Sequence, residues 1–463
     1  MNELLLVSAS AEVRIIFNDT CYTVSTILID SSLISREVQP IPALFKVFIV
    51  FGLVLCLNRF RLQLSLSLLI GALVLGLWMG MAPLQWLQAA LSSITAFRTV
   101  SLVLIVGLIL VLSRIMQGAG QMQRLVDRFT QLTRDPRTVG SVMTAMIGLL
   151  PMPGGALFSA PLVESSLLGQ KVSGEQKTLL NYWFRHVWEY WWPLYPGVVL
   201  AVALLKVETW LYMMFMAPLT LISVLAGVLF NLKPMGKVEV NGTGSRSWFA
   251  FKDFIWEMMP ILVVILVIAL TGAVTAALAW FGIRVKISGA VSILPGLLAA
   301  IIWVCTVNRV PRMKIQSVFL DRTMLPLLFL VLGIMVFQGT LTESQAVFKI
   351  RDELTSYHVP LILVIALMPF LSGFITGLAV GFVGLSFPLV IPMFPANPVW
   401  DFMVCAALAY TFGYMGMMLS PIHLCFLVTK DFYKASLLKT YPRLLLSAFT
   451  VMATATVLFV LLR

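Results

Sequence analysis

The chain has 463 residues, of which 60% are hydrophobic and only 11% charged, with a formal net charge of +12. Soluble domains carry roughly 25% charged residues, so a water-soluble fold is excluded and lipid is the solvent that this composition needs. The basic excess does not point to nucleic acid, because Lys and Arg sit in short loops between apolar runs, as membrane topology requires.

Residues 1–40 lack a basic segment leading into an apolar one and do not read as a signal peptide. They read as a polar, acidic, weakly ordered tail, or as a misassigned start ahead of a chain that begins near Pro42. Ten apolar runs then meet the length of roughly twenty residues needed per crossing. In the first half they are 41–57, 62–80, 99–116, 178–205 and 208–230, and in the second half 254–281, 287–307, 324–340, 399–429 and 441–462. Two further apolar regions, 138–168 and 360–390, are interrupted by Pro and Gly and are expected to be re-entrant hairpins. Segments 84–97, 118–133, 311–323 and 341–356 are expected to be surface or connector helices, and 231–253 a polar cytoplasmic linker. With the first N-terminus outside, most of the 32 Lys and Arg fall on the cytoplasmic side.

The expected fold is therefore an all-α polytopic membrane protein of about ten transmembrane helices and two re-entrant hairpins. Its halves, 41–230 and 254–463, each hold five crossings and one hairpin. Five is odd, so the second half enters the bilayer inverted. Residue matches support duplication. Ser159-Ala-Pro-Leu returns as Ser386-Phe-Pro-Leu, and Gly154 as Gly381, while Tyr182-x-Phe184 and Pro193 return as Tyr410-x-Phe412 and Pro421. Paired, interrupted apolar segments are the sequence pointer to the substrate site of a secondary transporter.

The candidate substrate and ion site follows from these interruptions. Pro151 and Pro153 remove backbone donors, and Gly154 and Gly155 allow close approach, at the first tip. The second tip is expected within Ser372, Gly373, Thr376 and Gly377. Pro193 breaks the fourth span, and Ser420 with Pro421 breaks its counterpart. Ser159, Ser386, Tyr195 and Tyr410 are candidate hydrogen-bond donors, although Ser and Thr also bond their own helix backbone. Arg185, His186 and Glu189 lie in an apolar run, where a charge costs at least roughly 2.5–3.5 kcal/mol and usually faces a cavity. At i,i+4 spacing Arg185 and Glu189 can form a local salt bridge; alternatively Arg185 takes an anion while Glu189 or His186 exchanges a proton. His423 follows the second break and can face the same cavity. The aromatic run Tyr182 to Tyr195 reads partly as an interfacial belt and partly as a cavity wall. Glu164 is expected near the mouth of the first hairpin. Five scattered Cys lack metal spacing, and the four in apolar runs read as small hydrophobes.

The stretch from Gly148 through Pro151-Met-Pro153-Gly154-Gly155 to Glu164, followed by Asn181 through Arg185-His186-x-x-Glu189 to Gly197, resembles the DUF401 family of prokaryotic integral membrane proteins. The resemblance implies membership of the ion-transporter superfamily, beside citrate, gluconate, dicarboxylate and arsenite carriers. It further implies scaffold and transport domains, a homodimer and elevator-type movement in the inner membrane of a bacterium or archaeon. Neither tip carries Ser-Asn-Thr, so dicarboxylate specificity does not follow. The expected function is a carrier of a small, anionic solute coupled to H⁺ or Na⁺, with no other cofactor, no resident metal and no nucleic-acid partner. A Na⁺/H⁺ antiporter or an anion channel of the same architecture is the alternative. A membrane metalloenzyme is remote: besides His186-x-x-Glu189 only His358 and His423 are available, and no nucleophile elbow or phosphate loop is present.

Overall fold

The fold was analysed in a computed structural model that describes residues 13–17, 20–24, 41–130, 135–151, 155–236, 248–283, 289–357 and 360–462. The chain divides into two units, Met1–Pro42 and Ala43–Arg463. In the first, strands β1 (Val13–Phe17) and β2 (Thr20–Val24) pair antiparallel, with Val13 opposite Val24 and Phe17 opposite Thr20. Val-x-Ile-Ile and Thr-x-x-Thr-Val are rich in β-branched side chains, which suit a pleated ribbon.

The second unit is all-α. In chain order its helices are α1 (Ala43–Arg59), α2 (Leu64–Trp78), α3 (Pro83–Thr95), α4 (Phe97–Gly118), α5 (Gln121–Thr130), α6 (Pro136–Ile147) and α7 (Gly155–Ser166). Next come α8 (Gly174–Arg185), α9 (Pro196–Leu205), α10 (Thr209–Gly227), α11 (Trp248–Trp280), α12 (Ile293–Val307), α13 (Arg312–Phe319) and α14 (Leu325–Glu343). The chain ends with α15 (Ala346–Ser356), α16 (Leu361–Thr376), α17 (Ala379–Val390), α18 (Val399–Met418), α19 (Leu424–Phe432) and α20 (Leu437–Leu462).

Among the described residues six helices are long and apolar enough to cross a bilayer: Phe97–Gly118, Thr209–Met235, Phe251–Trp280, Ala290–Val307, Arg312–Glu343 and Leu437–Leu462. They coincide with six of the expected crossings. The other four expected crossings differ in length or continuity. Helices α1 and α2 have 17 and 15 residues, while the 178–205 and 399–429 runs are each split in two. Together these helices make a multi-pass, all-α membrane protein.

Apolar side chains face outward on the long helices. Trp280 and Leu461, for example, are 86% and 73% exposed, and lipid rather than water accommodates them. The interior is built from short helices. All ten residues of α9 are buried, yet a ten-residue helix is only about 15 Å long, half of a bilayer core of about 30 Å. Such a half-helix ends deep inside the protein and needs partners there.

Charged loops contact one another at the ends of the helices. Arg124 bonds Glu257 (2.9 Å) and Asn308 (2.5 Å), Arg128 pairs with Asp253 (3.3 Å), and Arg137 donates to the Gly236 carbonyl (2.6 Å). Lys314 donates to the Gly118 carbonyl at the end of α4 (2.5 Å), where the helix dipole favours a cation. Elsewhere both Glu353 carboxylate oxygens accept from the first amides of α1, Ala43 (2.6 Å) and Leu44 (2.7 Å), so an anion supplied by α15 caps a helix N-terminus.

Candidate functional site

Four interruptions meet in the interior. Helix α8 ends at Arg185, residues 186–195 run as successive turns, and α9 resumes at Pro196. Pro193 and Pro196 lack the amide that would continue a helix across this stretch. Helix α18 ends at Met418 and α19 starts after His423, with Pro421 between them. Helix α6 stops before Gly148, and α16 stops at Gly377, which takes the left-handed φ of 63° that favours glycine.

Buried breaks expose carbonyls that must be paired, and tyrosine and tryptophan pair them here. Tyr182 donates to the Met418 carbonyl (2.9 Å), and Tyr410 donates to the Glu189 carbonyl (2.7 Å). The pattern is reciprocal: each broken segment caps the break of the other. Tyr414 adds a bond to the His186 carbonyl (2.5 Å) and Tyr441 one to the Leu419 carbonyl (2.9 Å). Trp188 and Trp192 donate to the carbonyls of Ala145 (2.9 Å) and Leu149 (2.8 Å), and Tyr195 donates to the Gly148 carbonyl. Tyr182, Trp183, Tyr190, Trp192 and Tyr195 are all buried. Within the run, Tyr182, Trp188, Trp192 and Tyr195 cap carbonyls at or beside the breaks, whereas Trp183 bonds the Ser223 carbonyl inside α10; the expected share in an interfacial belt is corrected for the five buried residues.

The charged groups lie at the centre of this arrangement. Arg185, His186 and Glu189 are 3%, 2% and 6% exposed. Because α8 ends at Arg185, Glu189 does not follow it by one helical turn, and the expected i,i+4 geometry is absent. Instead His186 Nε2 is 3.8 Å from the Glu189 carboxylate. Arg185 Nη1 lies 3.4 Å from both His186 Nε2 and Cys425 Sγ. The guanidinium also covers the first residue of α7, for a Cβ added at Gly155 would fall 2.3 Å from Nη2. His423 Nδ1 is 2.8 Å from the Gly377 carbonyl, and the His186 and His423 rings stand edge to face at 5.2 Å. The second tip thus touches the first broken segment through His423.

The remaining candidates divide by what they touch. Ser159, Ser372, Thr376 and Ser386 all bond backbone one turn back on their own helices, so their hydroxyl protons are already committed. The second tip turns at Gly377, and Gly373 lies inside α16, where its missing side chain lets the Gly413 carbonyl approach. The Ser420 hydroxyl accepts from the Ile422 amide (3.4 Å) across Pro421. The Pro151 carbonyl accepts from Ser113 (3.2 Å) and borders a cavity of about 110 Å³ lined also by Arg114, Gln117 and Thr323. Glu164 pairs with Lys177 (2.8 Å) at the far end of α7. Pro153, Gly154 and His358 lie outside the described residues.

Two participants escaped the sequence reading. Cys425 was grouped with apolar residues, yet its sulfur joins His186 and His423 in a cluster whose donor atoms lie within 4.8 Å of one another. The signal was present in His423-x-Cys425, directly after the second break. Tyr414 lies one helical turn beyond Tyr410 on the same face and shares its capping role.

Among solved structures, the chain is similar to the Alcanivorax borkumensis YdaH transporter, described as having an unusual topology. The identity is 15% and the TM-score 0.46, over 86% of this chain and 98% of that one. No curated protein matches the sequence. A family model described as a protein of unknown function (DUF401) matches residues 41–462, and on that match the chain belongs to the DUF401 family.

Proposed function

We propose that the protein is a secondary active carrier for a small anion, with its solute site where the first tip and the two broken helices converge. One observation carries the proposal: the Arg185 guanidinium rests against the N-terminal residue of α7. A helix N-terminus is the positive end of the macrodipole, with free amides. Two positive groups at one buried point make an electropositive site suited to an anion. The tip supplies backbone amides, and Arg185 supplies a fork suited to carboxylate or an oxyanion.

The architecture we propose has ten crossings, with α6–α7 and α16–α17 as re-entrant hairpins in two inverted repeats. The reciprocal Tyr182 and Tyr410 caps support this arrangement, since a twofold relation carries each onto the other. The contacts among Arg114, Arg124, Arg128, Arg137 and Lys314 and their loop partners support one shared, positively charged cytoplasmic face. The polar cavity beside Pro151 and Arg114 offers a route from that face to the first tip. Movement is of the elevator type, and coupling is to H⁺ or Na⁺, with half-helix ends and break carbonyls as the cation's partners.

The test is uptake by proteoliposomes of radiolabelled candidate anions, under an imposed Na⁺ or proton gradient. Saturable, gradient-dependent uptake of one anion is expected. Flux that never saturates and ignores both gradients points to a channel and overturns the carrier reading.

A further inference from the structure

The cluster of His186, His423 and Cys425 has a second property that anion transport does not use. Both imidazoles are held through the same nitrogen. His186 Nδ1 is 2.6 Å from the Tyr182 carbonyl, and His423 Nδ1 is 2.8 Å from the Gly377 carbonyl. A carbonyl only accepts, so each Nδ1 carries the hydrogen, and each neutral ring presents the Nε2 lone pair. Metal-binding imidazoles are oriented in this way, by a carbonyl or carboxylate behind the ring. His423 is 6% exposed, and its Nε2 has no hydrogen-bond partner. A buried polar atom left unpaired calls for a ligand.

We propose that His186, His423 and Cys425 bind a borderline-soft divalent cation of the Zn²⁺ class, with Glu189 placed to complete the coordination. The donors are two imidazole nitrogens and one thiolate, drawn from both broken segments and within 4.8 Å of one another. The Glu189 carboxylate lies 3.8 Å from His186 Nε2. Nitrogen and sulfur donors in a tetrahedral set suit Zn²⁺ or Co²⁺, whereas Na⁺, Mg²⁺ and Ca²⁺ take oxygen. Metal–nitrogen and metal–sulfur bonds of about 2.0–2.3 Å require the donors to draw in by roughly 1 Å. Arg185 is the competitor. Its Nη1 lies 3.4 Å from both His186 Nε2 and Cys425 Sγ, so the guanidinium stands at the cation's position and metal entry exchanges one cation for another.

The experiment is a titration of the purified full-length protein in detergent with Co²⁺. Saturating absorption from thiolate-to-cobalt charge transfer is expected, with loss of the band when Zn²⁺ is added. Cys425→Ser should abolish the charge-transfer band. His423→Gln keeps a hydrogen-bonding side chain in place of the imidazole and should weaken Co²⁺ binding by more than the roughly tenfold lost with a supporting residue. Arg185→Met should tighten it. Thermal melting of each variant without metal checks folding, and His423→Asn replaces His423→Gln if the latter does not fold. A wild-type protein with no charge-transfer band, or a band undiminished in Cys425→Ser, overturns the proposal. Binding is measured without transport, so failure here leaves the carrier reading intact, and failure of anion uptake leaves the metal site intact.

Discussion

The two helix breaks solve the same backbone problem with different chemistry. The first is ten residues long, from His186 to Tyr195, and is flanked or occupied by Arg185, His186 and Glu189. The second is five residues, from Leu419 to His423, and carries no Asp, Glu, Lys or Arg. Both leave buried carbonyls, and both are capped by tyrosine from the other segment. Two helix breaks can therefore share a capping geometry while only one of them carries charge. The physical reason is cost: a break needs neutral donors, which tyrosine supplies, whereas a second buried charge would need its own partner.

The largest expected contrast lies in transport. Arg185→Ala should reduce anion uptake on the order of 100-fold, the effect of removing one member of a buried charge-assisted contact. Ser420→Ala, in the neutral break, should leave uptake within about tenfold of wild type. Equal losses in the two variants, measured at matched expression in proteoliposomes, would erase the distinction between the breaks.

Packing around the first break should be the less forgiving. A Cβ at Gly148 would fall 2.0 Å from the Arg185 carbonyl oxygen, whereas one at Gly52 meets nothing within 4 Å. Gly148→Ala should destabilise by about 1–3 kcal/mol, as overpacking does, and Gly52→Ala should not lower the melting temperature. Thermal unfolding in detergent reads both.

The reciprocal caps sharpen the likeness of the two regions. Tyr182→Phe and Tyr410→Phe each leave one buried carbonyl without its tyrosine partner, costing about 1–3 kcal/mol apiece. Similar melting shifts support equivalent roles, and a silent Tyr182→Phe removes the equivalence.

The smallest effects belong to the helices beside the tips. Asp135 caps α6 by accepting from the Arg137 amide (3.1 Å). Burial pushes its carboxyl upward, but hydrogen bonds from Thr138 and Arg137 outweigh this and hold it below its ordinary value. A depressed carboxylate stabilises the fold above its unfolded-state pKa, and the benefit fades as pH falls through the lowered folded-state pKa. Asp135→Ala should therefore cost about 1 kcal/mol at neutral pH, with the difference from wild type shrinking in strong acid. Ser159→Ala and Ser386→Ala, which lose only bonds to their own helices, should stay within about 0.5 kcal/mol of wild type.

Much of this organisation was legible along the chain. Apolar run length located six long helices, and Pro193 and Pro421 marked the two breaks because a missing amide acts within one turn. Ser159 and Ser386 were candidate donors, but their hydroxyls bond the backbone of their own helices. The second tip was expected within Ser372 to Gly377, and the left-handed turn lies at the end of that window, at Gly377; nothing local stops α16 at Ser372 or Gly373.

Membrane residence and the positions of the interruptions were determined by sequence alone, since hydrophobicity and proline chemistry are properties of each residue and its immediate neighbours. Only the tertiary structure decided that the aromatic run faces inward, that Arg185 lies on Gly155 rather than one turn above Glu189, and that Cys425 meets two histidines. Those outcomes depend on contacts such as Tyr182 to Met418 and Arg185 to Cys425, between residues more than two hundred positions apart, and packing rather than local preference brings such pairs together.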